Sequence, residues 1–174
     1  MRAFLSALPL ALVVALAANC AYADDDDNKK YDDNGVTFTY PKDWNVKVDP
    51  KPGVTSITIE NKKGSLALVQ VYSADTDPKL VMSELDKSLK KSFAGKIVKD
   101  SDKASKRKLI GEEREGQKMS IMIVGDITSD LEYYAFKGAS KKTVCVTLQS
   151  TSADAGAKKL VDAIADSLME KEKE

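Results

Sequence analysis

The sequence predicts an α+β domain in which a central antiparallel sheet lies between helices. Three observations lead to this prediction. Short, turn-rich connections separate most apolar segments, as in hairpins of antiparallel strands. Leu66–Tyr72 and Met119–Val124 are apolar on both faces, so they need cover above and below the sheet. Two other segments repeat apolar residues at helical spacing and can supply that cover.

Residues 1–23 have the composition of a secretory signal. Arg2 supplies a positive start, and Leu8–Ala18 is almost unbroken leucine, valine and alanine. Ala21-Tyr22-Ala23 offers small residues at the two positions that a signal peptidase reads, with cleavage before Asp24. The apolar run is too short for a membrane span, and no later segment approaches the ~20 apolar residues that a span needs. We therefore expect a periplasmic or secreted protein.

Cys20 leaves a second interpretation open. Cleavage just before Cys20 would make it a lipid attachment site and the protein a membrane-anchored lipoprotein. The preceding Ala17-Ala18-Asn19 resembles a lipobox poorly, because asparagine stands where a small residue is expected. Cleavage before Asp24 would instead leave Cys145 as a single thiol that cannot form an internal disulfide.

Residues 24–34 are predicted to form an acidic, flexible leader. This stretch has six aspartates and no aliphatic residue, so it buries too little apolar area to offset the entropy of ordering. A calcium loop is the sharper alternative. It fails on spacing, since Lys29 and Gly35 stand where that motif needs glycine and glutamate.

Residues 35–169 are predicted to form a single domain that begins with strands. Val36, Phe38 and Tyr40 alternate with threonines in a strand that Pro41 ends. Alternation predicts further strands at Trp44–Val48, Ser56–Glu60 and Ser65–Tyr72, with a loop at residues 49–53 and a hairpin turn at residues 61–64.

A first helix is predicted from about Pro78 to about Ala94. Asp77 can cap it, Pro78 suits its first position and Gly95 can end it. Its apolar stripe recurs every four residues: Val81, Leu85 and Leu89, flanked by Met82 and Phe93.

The segment after this helix is predicted to be β-rich. Ile97-Val98 suggests a short edge strand, and residues 100–106 suggest a polar loop. Further strands are expected at Leu109–Arg114, with Gly111 as a bulge, and then at residues 119–124, 131–136 and 143–148. Turns are expected at residues 115–117, 126–130 and 137–142.

A second helix is predicted to close the domain. Thr151-Ser152-Ala153-Asp154 approximates a capping box, with aspartate in place of the usual glutamate. An apolar stripe follows at helical spacing: Ala157, Leu160, Val161, Ile164 and Leu168. Residues 170–174 are expected to form a charged, fraying tail.

The sequence contains no histidine, which removes the commonest general base and zinc ligand. Phosphate-binding glycine loops and the nucleophile elbow are absent as well. The carboxylates Glu112, Glu113 and Glu115 lie among basic residues, so surface ion pairs are favoured over catalysis. Cys145 lies in an apolar, β-rich run and is expected to be buried and inert. We predict a protein that is not an enzyme and that has no cofactor and no metal.

Aromatic residues provide the only candidate for a ligand or partner surface, formed by Tyr40, Trp44 and Phe93. Aromatic residues beside a turn more often close a core, which is the favoured interpretation. Lysines and acidic residues are intermixed, with 27 of each charge and zero formal net charge, and this argues against nucleic-acid binding.

The stretch Phe38-Thr39-Tyr40-Pro41-Lys42-Asp43-Trp44 resembles the opening phrase of the Mog/PsbP-like superfamily, which includes photosystem II extrinsic proteins and DcrB-type envelope proteins. It carries the Y-P-x-x-W part, although Phe38 lies only two residues before the tyrosine. Leu109-Ile110-Gly111 and the closing strand and helix from Thr143 to Leu168 are also similar to the family. The order of predicted elements matches over Gly35–Met169.

The resemblance implies an α/β/α sandwich around a central antiparallel sheet. It also implies an accessory, binding or assembly role rather than an enzymatic one. No residue-specific function carries over. No photosystem-binding arm is matched, and the export signal excludes the nuclear role of another member of the superfamily, a yeast Ran-binding import factor.

Two functional hypotheses follow. The first is an exported, non-catalytic accessory protein, expected to be a monomer, that binds an unidentified envelope protein or stabilises an assembly. The alternative is a small-ligand or lipid carrier with a cavity between sheet and helix near Tyr40, Trp44 and Phe93.

Overall fold

The structure, a computed structural model, describes residues 28–171. This part of the chain contains ten strands and two helices. In chain order they are β1 (Asn28–Asp33), β2 (Val36–Pro41), β3 (Asn45–Lys51), β4 (Val54–Glu60), β5 (Leu66–Tyr72), α1 (Pro78–Ser92), β6 (Lys103–Leu109), β7 (Glu112–Val124), β8 (Ile127–Lys137), β9 (Thr143–Thr151), α2 (Ala157–Asp166) and β10 (Met169–Glu170).

A seven-stranded antiparallel sheet forms the centre of the molecule, in the order β3-β4-β5-β9-β8-β7-β6. A second sheet has the order β1-β2-β10 and is also antiparallel. Hairpins join most neighbouring strands of the large sheet, whereas the connection from β5 to β6 contains α1. The predicted α+β class, with a central antiparallel sheet flanked by helices, is confirmed.

The large sheet separates two apolar clusters. On β9, Val144, Val146 and Leu148 belong to the cluster that includes α2, whereas Cys145 belongs to the cluster that includes α1. Because successive side chains of a strand point to opposite faces, the two helices cover opposite faces of the sheet. Strand β9 is therefore buried on both faces, although Thr143, Thr147 and Gln149 make its α1 face largely polar. The prediction that residues 119–124 are covered on both faces is wrong, because Met122 and Val124 are 47% and 63% exposed.

Helix α1 follows its local signals closely. The Lys79 amide donates to Asp77 Oδ1 at 2.9 Å, and Pro78 occupies the first turn. The Phe93 amide donates to the Leu89 carbonyl, and Gly95 has a φ of +75°. Val81, Leu85 and Leu89 are buried as the stripe predicts. The helix ends two residues before the predicted boundary.

Helix α2 begins later than its predicted capping box. Thr151 is the last residue of β9, and α2 begins at Ala157 with no side-chain cap at Gly156. Asp154 is held instead by Asn61, whose Nδ2 donates to its carboxylate at 3.1 Å. The prediction of a capping box is wrong because a partner distant in sequence engages the aspartate.

The predicted flexible leader does not hold for Asn28–Asp33, which pairs with β2 along its full length. Tyr31 stacks on Phe38 with ring centroids 4.8 Å apart, and its hydroxyl accepts a hydrogen bond from Asn34 Nδ2. The stacking of Tyr31 on Phe38 and the pairing with β2 therefore order this very polar segment. Residues 24–27, the predicted signal of residues 1–23 and Cys20 lie outside the described residues.

The sequence predicts a charged tail that frays from residue 170, but Glu170 is ordered. Glu170 pairs with Val36 in β10, and its carboxylate accepts hydrogen bonds from the Ala139 amide and, at 2.7 Å, from Ser140 Oγ. The β8–β9 loop thus supplies donors that stop this acidic residue from fraying. Residues 172–174 lie outside the described part of the chain.

The hairpin β6–β7 differs from the predicted loop and strand pattern. Residues 103–106 form the first half of β6, and the predicted strand at Leu109–Arg114 contains the turn itself. Ile110 and Gly111 both have positive φ, +51° and +79°, as a two-residue hairpin turn requires. The predicted turn at residues 115–117 lies inside β7. Similarly, Asp49, Pro50 and Lys51 extend β3 rather than forming a loop.

Candidate binding groove

The predicted aromatic surface is not assembled in the structure. Tyr40 and Trp44 belong to the apolar cluster on the α2 face of the sheet, and Phe93 belongs to the cluster on the α1 face. Trp44 and Phe93 are only 4% and 6% exposed. These three residues therefore do not line one cavity, and the two most buried of them pack in separate cores.

The glutamates at the start of β7 lie in surface ion pairs. Arg114 pairs with Glu112 at 2.8 Å, and Lys106 reaches Glu113 at 3.4 Å and Glu115 at 3.5 Å. All three carboxylates are largely exposed. This arrangement matches the predicted surface ion pairs.

Cys145 is completely buried in the α1 cluster. Burial raises the pKa of its thiol to about 12, so the reactive thiolate is negligible near neutral pH. The expected burial of Cys145 is confirmed, and its inertness stays a prediction.

The site that sequence reasoning missed is a polar groove between the β6-β7-β8 side of the sheet and α2. Its cavity volume is about 260 Å³. Nine polar residues from five parts of the chain line it, together with Leu131, Leu148 and Val161: Ser101, Lys103, Lys118, Ser120, Asp130, Glu132, Ser150, Lys158 and Asp162. We call this cavity the polar groove.

Strand register brings these side chains together. Lys118 lies directly opposite Lys103 on β6 and opposite Glu132 on β8. Ser120 lies opposite Asp130, two residues along the same strands and therefore on the same face. Alternate residues of three adjacent strands thus form a polar surface, and α2 lies across it with Lys158 and Asp162.

Every carboxylate of the polar groove already has a donor. Ser120 Oγ donates to Asp130 at 2.6 Å. Tyr134 donates its hydroxyl proton to Glu132 at 3.1 Å, and Lys158 pairs with Asp162 at 2.9 Å. The negative charges are therefore engaged within the molecule.

Arg107 joins the strands to the helix beside the groove. Its guanidinium pairs with Asp162, with Glu132 at 3.4 Å and with Asp166 at 3.4 Å. Burial lowers the pKa of Arg107, but its hydrogen bond to Asp162 and the nearby carboxylates outweigh burial and raise that pKa overall. A planar, permanently charged group suits a bridge between three carboxylates.

Lys103 and Lys118 differ from the other charges of the groove. Within residues 28–171, neither ammonium group has an ion pair or side-chain hydrogen bond. Lys103 is exposed and Lys118 is half-buried. Like charges that are directly opposite on adjacent strands are destabilising, so these two lysines leave unmatched positive charge in the groove.

The alternation of Lys103, Ser105, Arg107 and Leu109 is the signal that could have located the groove. It is a strand pattern with polar residues on the face that α2 covers. The high lysine content of the segment indicated a loop instead.

The groove has a polar and charged lining. Its lining has amines, hydroxyls and engaged carboxylates but no histidine or cysteine. Residues 28–171 contain no group of three or more side chains that could hold a metal ion. Among the helices of this part of the chain, none is long and apolar enough to cross a membrane.

Comparison with known proteins gives a structural likeness only. No protein-family model and no curated protein sequence matches the chain. Among the solved structures that match is the solution structure of cyanobacterial PsbP (CyanoP) from Synechocystis sp. PCC 6803. The TM-score is 0.58 and the sequence identity is 16%, and the match covers 88% of this chain and 98% of that chain. The architecture of the chain is therefore PsbP-like.

Proposed function

We propose, proceeding from this PsbP-like fold, that the protein is an exported, non-catalytic accessory protein that binds another protein of the cell envelope. The observation that carries the proposal is the polar groove, in which the ammonium groups of Lys103 and Lys118 have no acceptor among residues 28–171. Unmatched donors in a half-open cavity suit a partner that supplies the acceptors.

The lack of catalytic chemistry supports a binding role. The groove has no cysteine and the chain has no histidine to serve as a general base, and the groove's hydroxyl–carboxylate pair, Ser120 with Asp130, is exposed. Family resemblance in Tyr40-Pro41-Lys42-Asp43-Trp44 favours the same role, and we place the protein beside the DcrB-type members of the Mog/PsbP-like superfamily.

Export rests on the sequence of residues 1–23. We propose cleavage before Asp24 and a periplasmic or secreted protein, with lipidation at Cys20 as the alternative anchor. The intact mass of the protein purified from its native envelope separates the two forms, since an acylated Cys20 retains residues 20–23.

The size of the groove is less suited to the carrier hypothesis. A cavity of about 260 Å³ falls below the ~300–1,000 Å³ of typical ligand pockets, and its lining is charged rather than apolar. A lipid tail needs a larger apolar cavity. We therefore favour protein binding over lipid transport.

Site-specific photo-cross-linking tests the proposal. A photoreactive amino acid replaces Ser101 at the groove, and in a matched control it replaces Val48, which is 40% exposed on the edge strand β3. After irradiation in native envelope preparations, we expect a discrete cross-linked protein from position 101 and none from position 48.

Two results would overturn this proposal. One is the absence of any cross-linked protein at position 101 and at further groove positions. The other is the same set of proteins at both positions, which would mean random collision. Native mass spectrometry of the purified protein adds a check, because a bound lipid would favour the carrier alternative.

A further inference from the structure

We propose that the polar groove recognises the carboxylate side chains of an acidic segment in the partner protein, with Lys103 and Lys118 as the two recognition residues. This inference rests on the proposed function and specifies the chemistry of the partner. It is based on a contrast in the groove, where the carboxylates have donors but Lys103 and Lys118 have no acceptors among residues 28–171.

The acceptors of the groove are already engaged. Asp162 and Glu132 share the guanidinium of Arg107, and Asp130 accepts the Ser120 hydroxyl proton at 2.6 Å. A basic partner would have to compete with these internal donors for every carboxylate.

The donors are in surplus. Lys103 and Lys118 lie opposite each other on β6 and β7, and within residues 28–171 neither ammonium group forms an ion pair, although Glu132 lies opposite Lys118 on β8. A carboxylate placed between them would convert a repulsive pair into two ion pairs. The groove therefore favours an anionic ligand even though its lining contains as many acidic residues as lysines.

The dimensions favour side chains over larger ligands. A cavity of about 260 Å³ is too small for a drug-sized molecule and suits one or two short acidic side chains. Ser150 lies in the lining and can donate its hydroxyl proton to the same oxygens, whereas Ser101 Oγ already donates to the Val98 carbonyl at 2.7 Å. An extended acidic segment can place alternate side chains in such a groove.

The test uses the full mature protein and a short fluorescein-labelled peptide of alternating glutamate and glycine. A peptide with glutamine in place of glutamate is the uncharged probe. We compare wild type with the double variant Lys103→Gln/Lys118→Gln by fluorescence anisotropy. The matched control is Lys106→Gln/Lys108→Gln. It also removes two positive charges, but from side chains of β6 that lie on the opposite face of the sheet.

We expect the acidic peptide to bind wild type and the control variant, and to bind the Lys103→Gln/Lys118→Gln variant about tenfold more weakly. The glutamine peptide should not bind. Binding should weaken as salt rises, because exposed ion pairs are screened. Circular dichroism and thermal unfolding of each variant verify that the fold is retained.

Several results would overturn the inference. Equal loss in both double variants would mean that only net charge matters. Competition by inorganic phosphate at concentrations where the peptide binds would identify a small-anion site instead. No binding of the glutamate peptide to folded wild type would remove the acidic-segment claim altogether.

The same variants separate this inference from the proposed function. If position 101 still cross-links a protein in the Lys103→Gln/Lys118→Gln variant, the protein binds a partner by other means, and only the lysine inference fails. If wild type yields no cross-linked protein, the proposed function fails whatever the peptide does.

Discussion

The ring of Tyr134 lies against the backbone of Gly116, its directly opposite neighbour on the adjacent strand. A Cβ atom added at Gly116 would lie 2.6 Å from Tyr134 Cε1 and even closer to Cδ1 and to the Tyr133 carbonyl oxygen. Tyr134 is fully buried, and its hydroxyl is within 2.9 Å of Ser105 Oγ on β6. Gly116 in β7 therefore lets the Tyr134 side chain extend from β8 across β7 to Ser105 on β6, beside the polar groove.

We expect Gly116→Ala to destabilise the protein by about 1–3 kcal/mol, because the new methyl group must displace a buried ring or a strand backbone. Urea denaturation followed by Trp44 fluorescence measures the free energy of unfolding. The control is Lys118→Ala, which leaves an alanine methyl group two residues later on the same face of β7. We expect it to lower the free energy of unfolding by about 0.5 kcal/mol or less. Equal stability of Gly116→Ala and wild type would contradict the packing described.

Arg107 should be the most important charge for docking α2 onto the sheet. Its side chain is 15% exposed and pairs with carboxylates from both β8 and α2. Arg107→Met leaves Glu132 and Asp162 without their shared cation, and we expect a loss of about 1–3 kcal/mol. Arg107→Lys should recover only part of it, because an ammonium group cannot span three carboxylates.

Lys158→Met is the matched control for Arg107. It removes the other cation of Asp162, but Lys158 is 58% exposed, so its loss should cost less than about 1 kcal/mol. Chemical denaturation of the three variants under identical salt gives the comparison. If Lys158→Met lowers stability as much as Arg107→Met does, Arg107 contributes no more to the docking of α2 than an exposed ion pair.

Local signals explain why part of this fold was predictable. Asp77, Pro78 and a four-residue apolar repeat fix α1 within its own sequence, and the apolar composition of β5 predicts its position inside the sheet. The fold class therefore follows from short-range patterns.

Long-range contacts explain what was missed. Strand β6 has one buried apolar residue, Leu109, and is held by pairing with β7 and by the contacts of Arg107 with α2. The polar groove needs that register, because Lys103 and Lys158 are distant in sequence. The ordering of Tyr31 and Glu170 likewise depends on partners that no local pattern reveals.

Glu170 should stabilise the β8–β9 loop although it lies close to the end of the chain. Its carboxylate accepts hydrogen bonds from the Ala139 amide and from Ser140 Oγ. Glu170→Gln weakens these charge-assisted bonds, and we expect a loss of about 0.5–1.5 kcal/mol. Amide hydrogen exchange at Ala139 should become faster.

Glu115→Gln provides the control for that change. Glu115 is 84% exposed and its only ion pair within the described residues, with Lys106, spans 3.5 Å, so the substitution should alter stability by about 0.5 kcal/mol or less. Unchanged exchange at Ala139 in Glu170→Gln would show that the carboxylate does not hold the loop.

Cys145 should make stability fall at alkaline pH. Burial raises the pKa of its thiol to about 12, whereas a thiol in the unfolded chain has a pKa near ~8.5. Its contribution is fully present below about pH 8.5 and is lost as pH rises towards 12, because only the unfolded state releases the proton in that window. We expect up to about 1.4 kcal/mol of lost stability per pH unit from this group.

Urea denaturation at about pH 7.5, 8.5 and 9.5 measures this slope before most unfolded-state tyrosines ionise. Cys145→Ala should be less stable near neutral pH, since it removes buried sulfur, but its stability should change less over the same pH range. Iodoacetamide at pH 8.5 should label wild type only after unfolding, because the thiol is fully buried. If wild type and Cys145→Ala lose stability in parallel, the thiol does not have the raised pKa that its burial produces, and ionisation of other groups must cause the alkaline loss.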